Sequence, residues 1–185
     1  MWLCYILTMP IYTRSGDRGD TGLANGQRVS KSSAVINFVG ELDSLNASIG
    51  LCVAMLTNES EDFTLECEVL ESIQSDLFCV GAVAVGANFH FDASEETENI
   101  EKTIDDYEEL LPKLKNFILP GGSITAAQLH DTRTLIRKIE RMCVELKSNA
   151  LNEFLPYLNR LSDLFFVMAR YVNKQLGCKE KMWKS

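Results

Sequence analysis

The sequence predicts an all-α protein, an up-and-down bundle of five helices preceded by an extended N-terminal segment. Apolar residues recur at 3.6-residue spacing in five stretches that are joined by short loops, and no stretch shows the alternation of a convincing strand. The chain has 185 residues, of which 46% are hydrophobic. This is enough for one domain to bury its own core. We therefore expect a single domain over residues 10–185, without internal repeats.

Residues typical of helix ends and chain breaks delimit the five stretches. Ser32 or Ser33 can cap the first helix, and Ser123 or Thr125 can begin the fourth. The proline-rich break at 112–122 separates the third helix from the fourth. The polar tail after the fifth helix carries one large apolar residue, Trp183. The predicted helices span about 32–56, 64–86, 95–111, 123–147 and 153–175.

The net charge of −8 is concentrated in one segment. Between Asp92 and Glu109 there are nine acidic residues and one lysine, which we interpret as the solvated face of the third helix. An acidic chain is a poor binder of nucleic acid phosphates. Two stretches, 13–31 and 133–147, are locally basic and could bind one polyanionic metabolite.

Cysteine, histidine and the first residues carry little functional signal. No pair among the six cysteines has CxxC spacing, and His90 and His130 stand alone, so no zinc site is predicted. Buried thiols in a reducing cytoplasm are the expectation. Residues 1–9 are apolar but too short for a secretory signal or a membrane span, so we expect a disordered extension, with residues 1–8 added by an upstream start codon. No later segment is predicted to span a membrane, and no membrane partner is expected.

The N-terminal segment has the composition of an anion-binding loop. Residues 13–23 read TRSGDRGDTGL, and Arg28 and Lys31 follow. Glycines allow backbone N–H groups to approach phosphate oxygens, while hydroxyls and cations supply further donors. The segment is neither a Walker A loop nor a dinucleotide fingerprint. Taken alone, it is also compatible with a polar, turn-rich arm.

The fourth predicted helix carries a stripe of three arginines, Arg133, Arg137 and Arg141. Residues four apart share one helix face, so their guanidinium groups repel one another unless an anion lies against them. Glu140 can offset one of the charges, and a triphosphate could offset the others, since guanidinium groups match phosphate oxygens. A solvated basic stripe is the alternative.

Polar clusters interrupt the apolar stripes of two other helices. They are GELDSLN at 40–46 in the first helix and NRLSD at 159–163 in the fifth. Polar groups at such depth cost free energy unless they are satisfied. They either line a site or form hydrogen bonds that fix the register of the bundle.

Together, in this order, these pieces resemble the PduO-type ATP:cob(I)alamin adenosyltransferases, and the resemblance runs from Pro10 to Lys184. It rests on TRSGDRGDTGL with RVSK, FVGELDSLNASIG, FILPGG with LHDTRTLIRKIER, and LNRLSDLFFVMARY. It implies a ferritin-like five-helix bundle that forms a homotrimer with active sites between subunits. The implied reaction moves the 5′-deoxyadenosyl group of ATP onto the cobalt of cob(I)alamin and releases triphosphate.

The resemblance also implies roles for individual residues. Asp43 would pair with Arg133 of a neighbouring subunit and shape the corrin pocket, and Phe117 would press on the lower face of the corrin. With Arg137, Asp43 and Arg133 form the implied catalytic set. The implied ATP ligands are Thr13, Arg14, Ser15, Gly16, Asp17, Gly19, Thr21, Gly22, Lys31, Arg137, Lys138, Glu140, Arg141 and Asn159.

The implied chemistry needs positioning more than acid–base catalysis. Cob(I)alamin attacks C5′, and charge then accumulates on a leaving group that keeps all three phosphates, so several cations and N–H groups are required. An apolar wedge such as Phe117 would displace the lower axial ligand and make cobalt easier to reduce. MgATP and cob(I)alamin would be the substrates, with Mg²⁺ on the ATP phosphates rather than on protein ligands. A flavin-type reductase and a B12-dependent acceptor enzyme are possible partners.

Three positions depart from the family pattern. Lys138 stands where arginine is common, Ile139 replaces a small residue, and Asp20 adds a negative charge to the predicted anion-binding segment.

Three other functions are alternatives. A di-iron protein is disfavoured because no ExxH motif is present. A helical interaction module would explain neither cationic motif. A corrinoid carrier or chaperone would keep Phe117 without the ATP residues. Complete cobalamin and a precursor corrinoid both remain possible substrates.

Overall fold

The computed structural model describes residues 12–89 and 91–184 and confirms the five-helix bundle. The predicted extension at 1–9 lies outside the described residues. A sixth, short helix, α5, precedes the last long one. The helices are α1 Ala34–Thr57, α2 Thr64–Ala84, α3 Ala93–Leu110, α4 Ile124–Leu146, α5 Asn149–Asn152 and α6 Leu155–Gln175.

The helix α6 lies at the centre of the bundle. It packs against α4 and α3, while α1 packs against α2 and α4. Twelve residues of α6 are buried, because it has neighbours on several sides. Fully buried aromatic side chains such as Phe38, Phe154 and Phe165 fill the space between helices. Burial of a side chain of this size contributes roughly 1.5–3 kcal/mol, so this core holds α4 in place.

The expectation that the chain contains no strand is wrong at two places. In the N-terminal segment, β1 (Asp20–Gly22) pairs antiparallel with β2 (Arg28–Ser30). Between α3 and α4, β3 (Ile118–Leu119) pairs antiparallel with β4 (Lys181–Met182). Strands of two or three residues are too short to show an alternating pattern, so sequence periodicity does not reveal them.

The helix ends differ from the predicted ones where capping and proline act. Asp92 caps α3, since the N–H groups of Ser94 and Glu95 each donate to its Oδ1 at 3.1 Å, and the helix therefore begins at Ala93. The last long helix begins at Leu155 rather than 153, because Pro156 occupies its first turn, where proline is tolerated. Ser33 occupies the cap position of α1, although its side chain makes no capping hydrogen bond.

The helix α1 is long and apolar enough to cross a membrane, judged by length and composition alone, with a mean hydropathy of 1.3. One of its faces packs against α2 and α4 through residues such as Phe38, Leu45 and Ile49. Only 28% of its 18-residue apolar stretch is buried in the single chain, and Leu51 is 46% exposed. The helix therefore belongs to the bundle and has an apolar face that the described part of this chain does not cover.

A buried tyrosine holds a carboxyl group between α2 and α6. Tyr157 is fully buried, and its hydroxyl donates to Oδ2 of Asp76 at 2.8 Å. Burial raises the pKa of Asp76 to about 6; the bond from Tyr157 opposes this shift, and the charge of Glu96 adds to it. Because the folded state holds this proton more tightly than the unfolded chain, the carboxyl contributes stability below about pH 4 that is lost as the pH rises through about 6.

We expect Asp76→Asn to flatten the dependence of unfolding free energy on pH between about 4 and 7. The amide oxygen can still accept from Tyr157, and no charge then forms at this position. Urea unfolding at pH 4.5, 6.0 and 7.5 measures the effect. The variant should gain stability relative to the wild type as the pH rises, and parallel pH profiles for the two proteins would contradict the assignment.

Candidate functional site

The predicted anion-binding segment, residues 13–31, folds back on itself before β1. The N–H of Gly19 donates to the carbonyl of Gly16 at 3.2 Å, and the N–H of Lys31 donates to the carbonyl of Gly19 at 2.8 Å. The Arg28 guanidinium donates to the carbonyl of Ser15 at 2.9 Å. These bonds tie the loop at 14–19 to β2 and its end, so the predicted phosphate ligands of the segment lie in one small hairpin.

Side chains of the segment surround Gly16. The hydroxyls of Thr13 and Ser15 share a hydrogen bond of 2.8 Å. A Cβ atom at Gly16 would lie 3.0 Å from Nζ of Lys31, so glycine leaves room for the ammonium group. Arg14 has a φ of 57°, an unfavourable value for a side chain other than glycine, and stacks on Tyr12 at 5.5 Å. The lack of a side chain at Gly16 therefore leaves space for Lys31, and the binding of an anion by this turn stays a prediction.

A groove of about 630 Å³ lies between this segment, α1 and α2. Thr21, Lys31 and Asp43 line it, together with apolar residues that include Leu77 and Phe78. Asp43 is exposed, and Phe78 is 72% exposed. The structure therefore brings Asp43 and the predicted anion-binding segment to the same face of the chain.

The arginine stripe is positioned by the buried side of α4. Leu129, Ile136 and Cys143 are fully buried on that side, and Arg137 and Arg141 consequently point to solvent. Among the described residues none of the three stripe arginines forms an ion pair. Mutual repulsion is thus left for a bound anion to relieve.

Three other predicted ATP ligands lie beside the stripe. Asn159 donates from Nδ2 to Oε1 of Glu140 at 2.9 Å, which joins α6 to α4 as the polar clusters suggested. Glu140 is engaged there and does not form an ion pair with an arginine in the described part of the chain. Lys138 instead forms an ion pair of 2.6 Å with Glu41 of α1. The role of Lys138 as an ATP ligand stays a prediction.

The two cationic parts of the predicted ATP site rest on different elements of the bundle. Ala24 of the segment donates to the carbonyl of Val85 at 3.2 Å, and Asn25 contacts Gly86, so the segment rests on the end of α2. Across residues 12–89 and 91–184, no hydrogen bond or ion pair joins the segment to α4. Likewise, no ion pair joins Asp43 to Arg133 within the described residues.

A second pocket of about 720 Å³ opens beside Phe117, which is 80% exposed. Pairing of β3 with β4 brings the tail across this opening, and the N–H of Trp183 donates to the carbonyl of Phe117 at 2.8 Å. The tail is anchored by an ion pair of 2.7 Å between Arg170, only 4% exposed, and Glu180. The side chain of Trp183 is 52% exposed and lines the pocket.

Sequence reasoning missed the histidine of this pocket. His130 is buried, and its Nδ1 has no hydrogen-bond partner among the described residues. Burial, and then the charge of Arg133, lower the pKa of His130 to about 4, so the imidazole is neutral at pH 7. Its position three residues before Arg133 was the available signal, since i and i+3 share a helix face.

The turn before α4 also escaped the sequence analysis. Asn173 of α6 donates to the carbonyl of Gly121 at 2.8 Å and accepts from the N–H of Ser123 at 2.9 Å. Gly122 has a φ of 112°, and a Cβ there would overlap the amide of Asn173. This contact fixes the start of α4 next to Phe117, and a lone asparagine in a helical stripe does not reveal it.

No group of three or more His, Cys, Asp or Glu side chains is arranged to hold a metal ion in the part of the chain that the structure describes.

The family model for cobalamin adenosyltransferase matches residues 11–172, which include the segment, the α4 stripe and Phe117. The chain belongs to this family. It is 42% identical over 176 residues to the cobalamin adenosyltransferase of Cupriavidus metallidurans, covering 94% of both chains. It is 45% identical to the corrinoid adenosyltransferase of Bacillus subtilis, covering 91% of this chain and 89% of the relative. The family resemblance stated from the sequence is thereby confirmed.

Solved structures agree with this membership. A variant PduO-type ATP:corrinoid adenosyltransferase from Lactobacillus reuteri, complexed with cobalamin and ATP, has a TM-score of 0.88 and 32% identity. The match covers 95% of this chain and all of that chain. The backbone of the family is therefore conserved in this chain from the N-terminal segment to the tail.

Proposed function

We propose that the chain transfers the 5′-deoxyadenosyl group of ATP to the cobalt of cob(I)alamin, or of a related reduced corrinoid, and releases triphosphate. The observation that carries the proposal is the presence of two cationic surfaces, one on the hairpin at Gly16 and Lys31 and one along Arg137 and Arg141. The reaction leaves the negative charge on three linked phosphates. Such a leaving group needs several positioned cations more than a proton donor.

The ATP site forms between two copies of the chain. The hairpin lies on the α1–α2 face with Asp43, and no hydrogen bond or ion pair among the described residues joins it to the stripe on α4. This supports a site in which one triphosphate contacts the hairpin of one copy and the stripe of another. The apolar, largely uncovered face of α1 and the exposed Phe78 supply surface for such a contact. An interface between two different faces forms a ring when the rotation between copies closes, and the homotrimer implied by the family is such a ring.

Within this assembly, Asp43 of one copy pairs with Arg133 of the next. Neither residue forms an ion pair within the described part of its own chain. Burial, and then the charge of Arg137, lower the pKa of Arg133. A carboxylate placed against this guanidinium would stabilise the charged form. The pair would link the ATP side of the site to the Phe117 pocket, which Arg133 also lines.

The Phe117 pocket takes the corrinoid. Phe117 projects its ring into solvent at 80% exposure, which costs hydration free energy in the free protein and favours contact with an apolar surface. The backbone bond from Trp183 and the turn at Gly122 hold this ring in position. Phe117 can therefore occupy the lower face of the corrin and exclude the axial base from cobalt.

A corrinoid carrier or chaperone is the second candidate function. It would need the Phe117 pocket alone, whereas this chain also has the hairpin and the stripe, which serve no purpose in a carrier.

The proposed enzyme would work in the cytoplasm with MgATP, with Mg²⁺ on the phosphates. A flavin-type reductase would supply the electron, and a B12-dependent enzyme would receive the product.

Anaerobic incubation with MgATP and chemically reduced cobalamin tests the function through the spectral change that accompanies Co–C bond formation. We expect turnover by the wild type and a loss of about 10²–10³-fold or more in kcat for Arg137→Ala, because one positioned donor to the leaving group is removed. Arg137→Lys should recover only part of the rate, since lysine keeps the charge without the fork.

Arg160→Ala is the matched control for that experiment. Arg160 pairs with Glu101 and Asp163 on another face of the bundle, so its loss should leave the rate unchanged. A wild type that binds the corrinoid but never forms the Co–C bond would favour the carrier. A fully active Arg137→Ala variant would place the triphosphate elsewhere.

We expect Asp43→Asn to weaken corrinoid binding or turnover while the subunit stays folded. Removing one partner of a pair buried at an interface costs roughly 3–5 kcal/mol, against about 0.2–1 kcal/mol for an exposed pair. Steady-state kinetics and thermal unfolding separate the two cases. Asp106→Asn, at an exposed position of α3, is the control. Normal kinetics of Asp43→Asn would refute the intersubunit pair.

A further inference from the structure

The Phe117 pocket is electropositive in a chain whose net charge is −8. Its polar lining consists of Lys115, Asn116, His130 and Arg133, and no Asp or Glu lines it. The apolar lining includes Phe117, Ile118, Phe166 and Trp183. An apolar pocket that carries two cations and no carboxylate is suited to a flat, hydrophobic ligand with an anionic substituent.

No carboxylate among the described residues forms an ion pair with these cations. Glu180, whose charge acts on His130, is already paired with Arg170. Nε of Arg133 is buried without a hydrogen-bond partner, and Lys115 forms no ion pair among the described residues. Under the proposed function, Asp43 of a neighbouring copy forms an ion pair with Arg133. Lys115 then remains as the cation available to a ligand.

Lys115 also has the right position relative to Phe117. It lies two residues earlier, on the exposed loop between α3 and β3, and both side chains line the same pocket. The ring of Phe117 excludes the axial base of the corrinoid, which is attached to the macrocycle through a phosphodiester. When the base leaves cobalt, the phosphodiester stays tethered beside the corrin and must swing toward the rim of the pocket.

We propose that Lys115 binds the phosphodiester of the nucleotide loop of a complete corrinoid, so that the pocket discriminates complete cobalamin from corrinoids that lack this loop. The inference rests on the proposed function and names its substrate class. Lysine suits the task, because a compact charge on a flexible stem can follow a mobile anion that has no fixed geometry. Neutral His130 and Asn116 add hydrogen-bonding groups without adding charge.

The test compares Lys115→Gln with Lys113→Gln, using cobalamin and cobinamide as corrinoid substrates. MgATP is saturating when a corrinoid is varied, and the corrinoid is saturating when MgATP is varied. Lys113 is an exposed lysine of the same loop that does not line the pocket. Lys115→Gln should raise KM for cobalamin by about three- to fivefold, the upper part of the range for an exposed ion pair. It should leave KM for cobinamide and for ATP within about twofold of the wild-type values, and Lys113→Gln should change none of them.

Equal increases of KM for both corrinoids, or no increase for either, would overturn the subsite while leaving the proposed function intact. An increase of KM for ATP instead would assign Lys115 to the triphosphate and also overturn it. A wild type that adenosylates neither corrinoid would contradict the proposed function itself.

A binding measurement on otherwise unchanged protein provides a second test that does not depend on the lysine variants. Trp183 lines the pocket, so its fluorescence should be quenched by a bound corrinoid; Trp2→Phe removes the other tryptophan. Raising NaCl from 50 to 300 mM should weaken cobalamin binding more than cobinamide binding, because salt screens the ion pair. Identical salt dependence for the two corrinoids would overturn the subsite.

Discussion

The negative charge of the triphosphate is the constraint on which the proposed site depends. One cationic surface is a small hairpin in which Lys31 lies over Gly16, and the other is the α4 stripe with Arg137 and Arg141. Neither surface is neutralised by the described part of its own chain. Both are therefore repulsive in isolation, and a shared anion would relieve both at once.

The bundle supplies the rigidity that this arrangement needs. The buried side of α4 fixes the stripe, Asn173 fixes the turn before α4, and the Arg170–Glu180 ion pair anchors the tail beside Phe117. Truncating one partner of such a buried ion pair costs roughly 3–5 kcal/mol, so the tail belongs to the core rather than to a loose terminus. The hairpin, by contrast, rests on the end of α2 through few hydrogen bonds. The Phe117 pocket is therefore firmly tethered to the bundle, whereas the hairpin has few tethers.

Most of the fold, and the family, could be predicted from the sequence, because long apolar stripes and ordered motifs are signals of many residues. The strands β1–β4 could not, since they contain two or three residues each and depend on long-range pairing. His130 and Asn173 were missed because their significance comes from neighbours on other elements, Phe166 and Gly122. The sequence motifs group the predicted ATP ligands, but they do not tell which of them one copy of the chain contributes to a given site. The structure adds that the hairpin ligands rest on the end of α2, and that no hydrogen bond or ion pair among the described residues joins them to α4.

Subunit mixing tests the shared site most directly. Lys31→Ala disables the hairpin and Arg137→Ala disables the stripe, so each variant alone should be inactive. Coexpressed in equal amounts, they should form mixed oligomers in which about a quarter of the interfaces join an intact hairpin to an intact stripe. The account predicts recovery of up to about a quarter of wild-type activity. Mixed oligomers, verified by two affinity tags, that remain as inactive as either parent would contradict it.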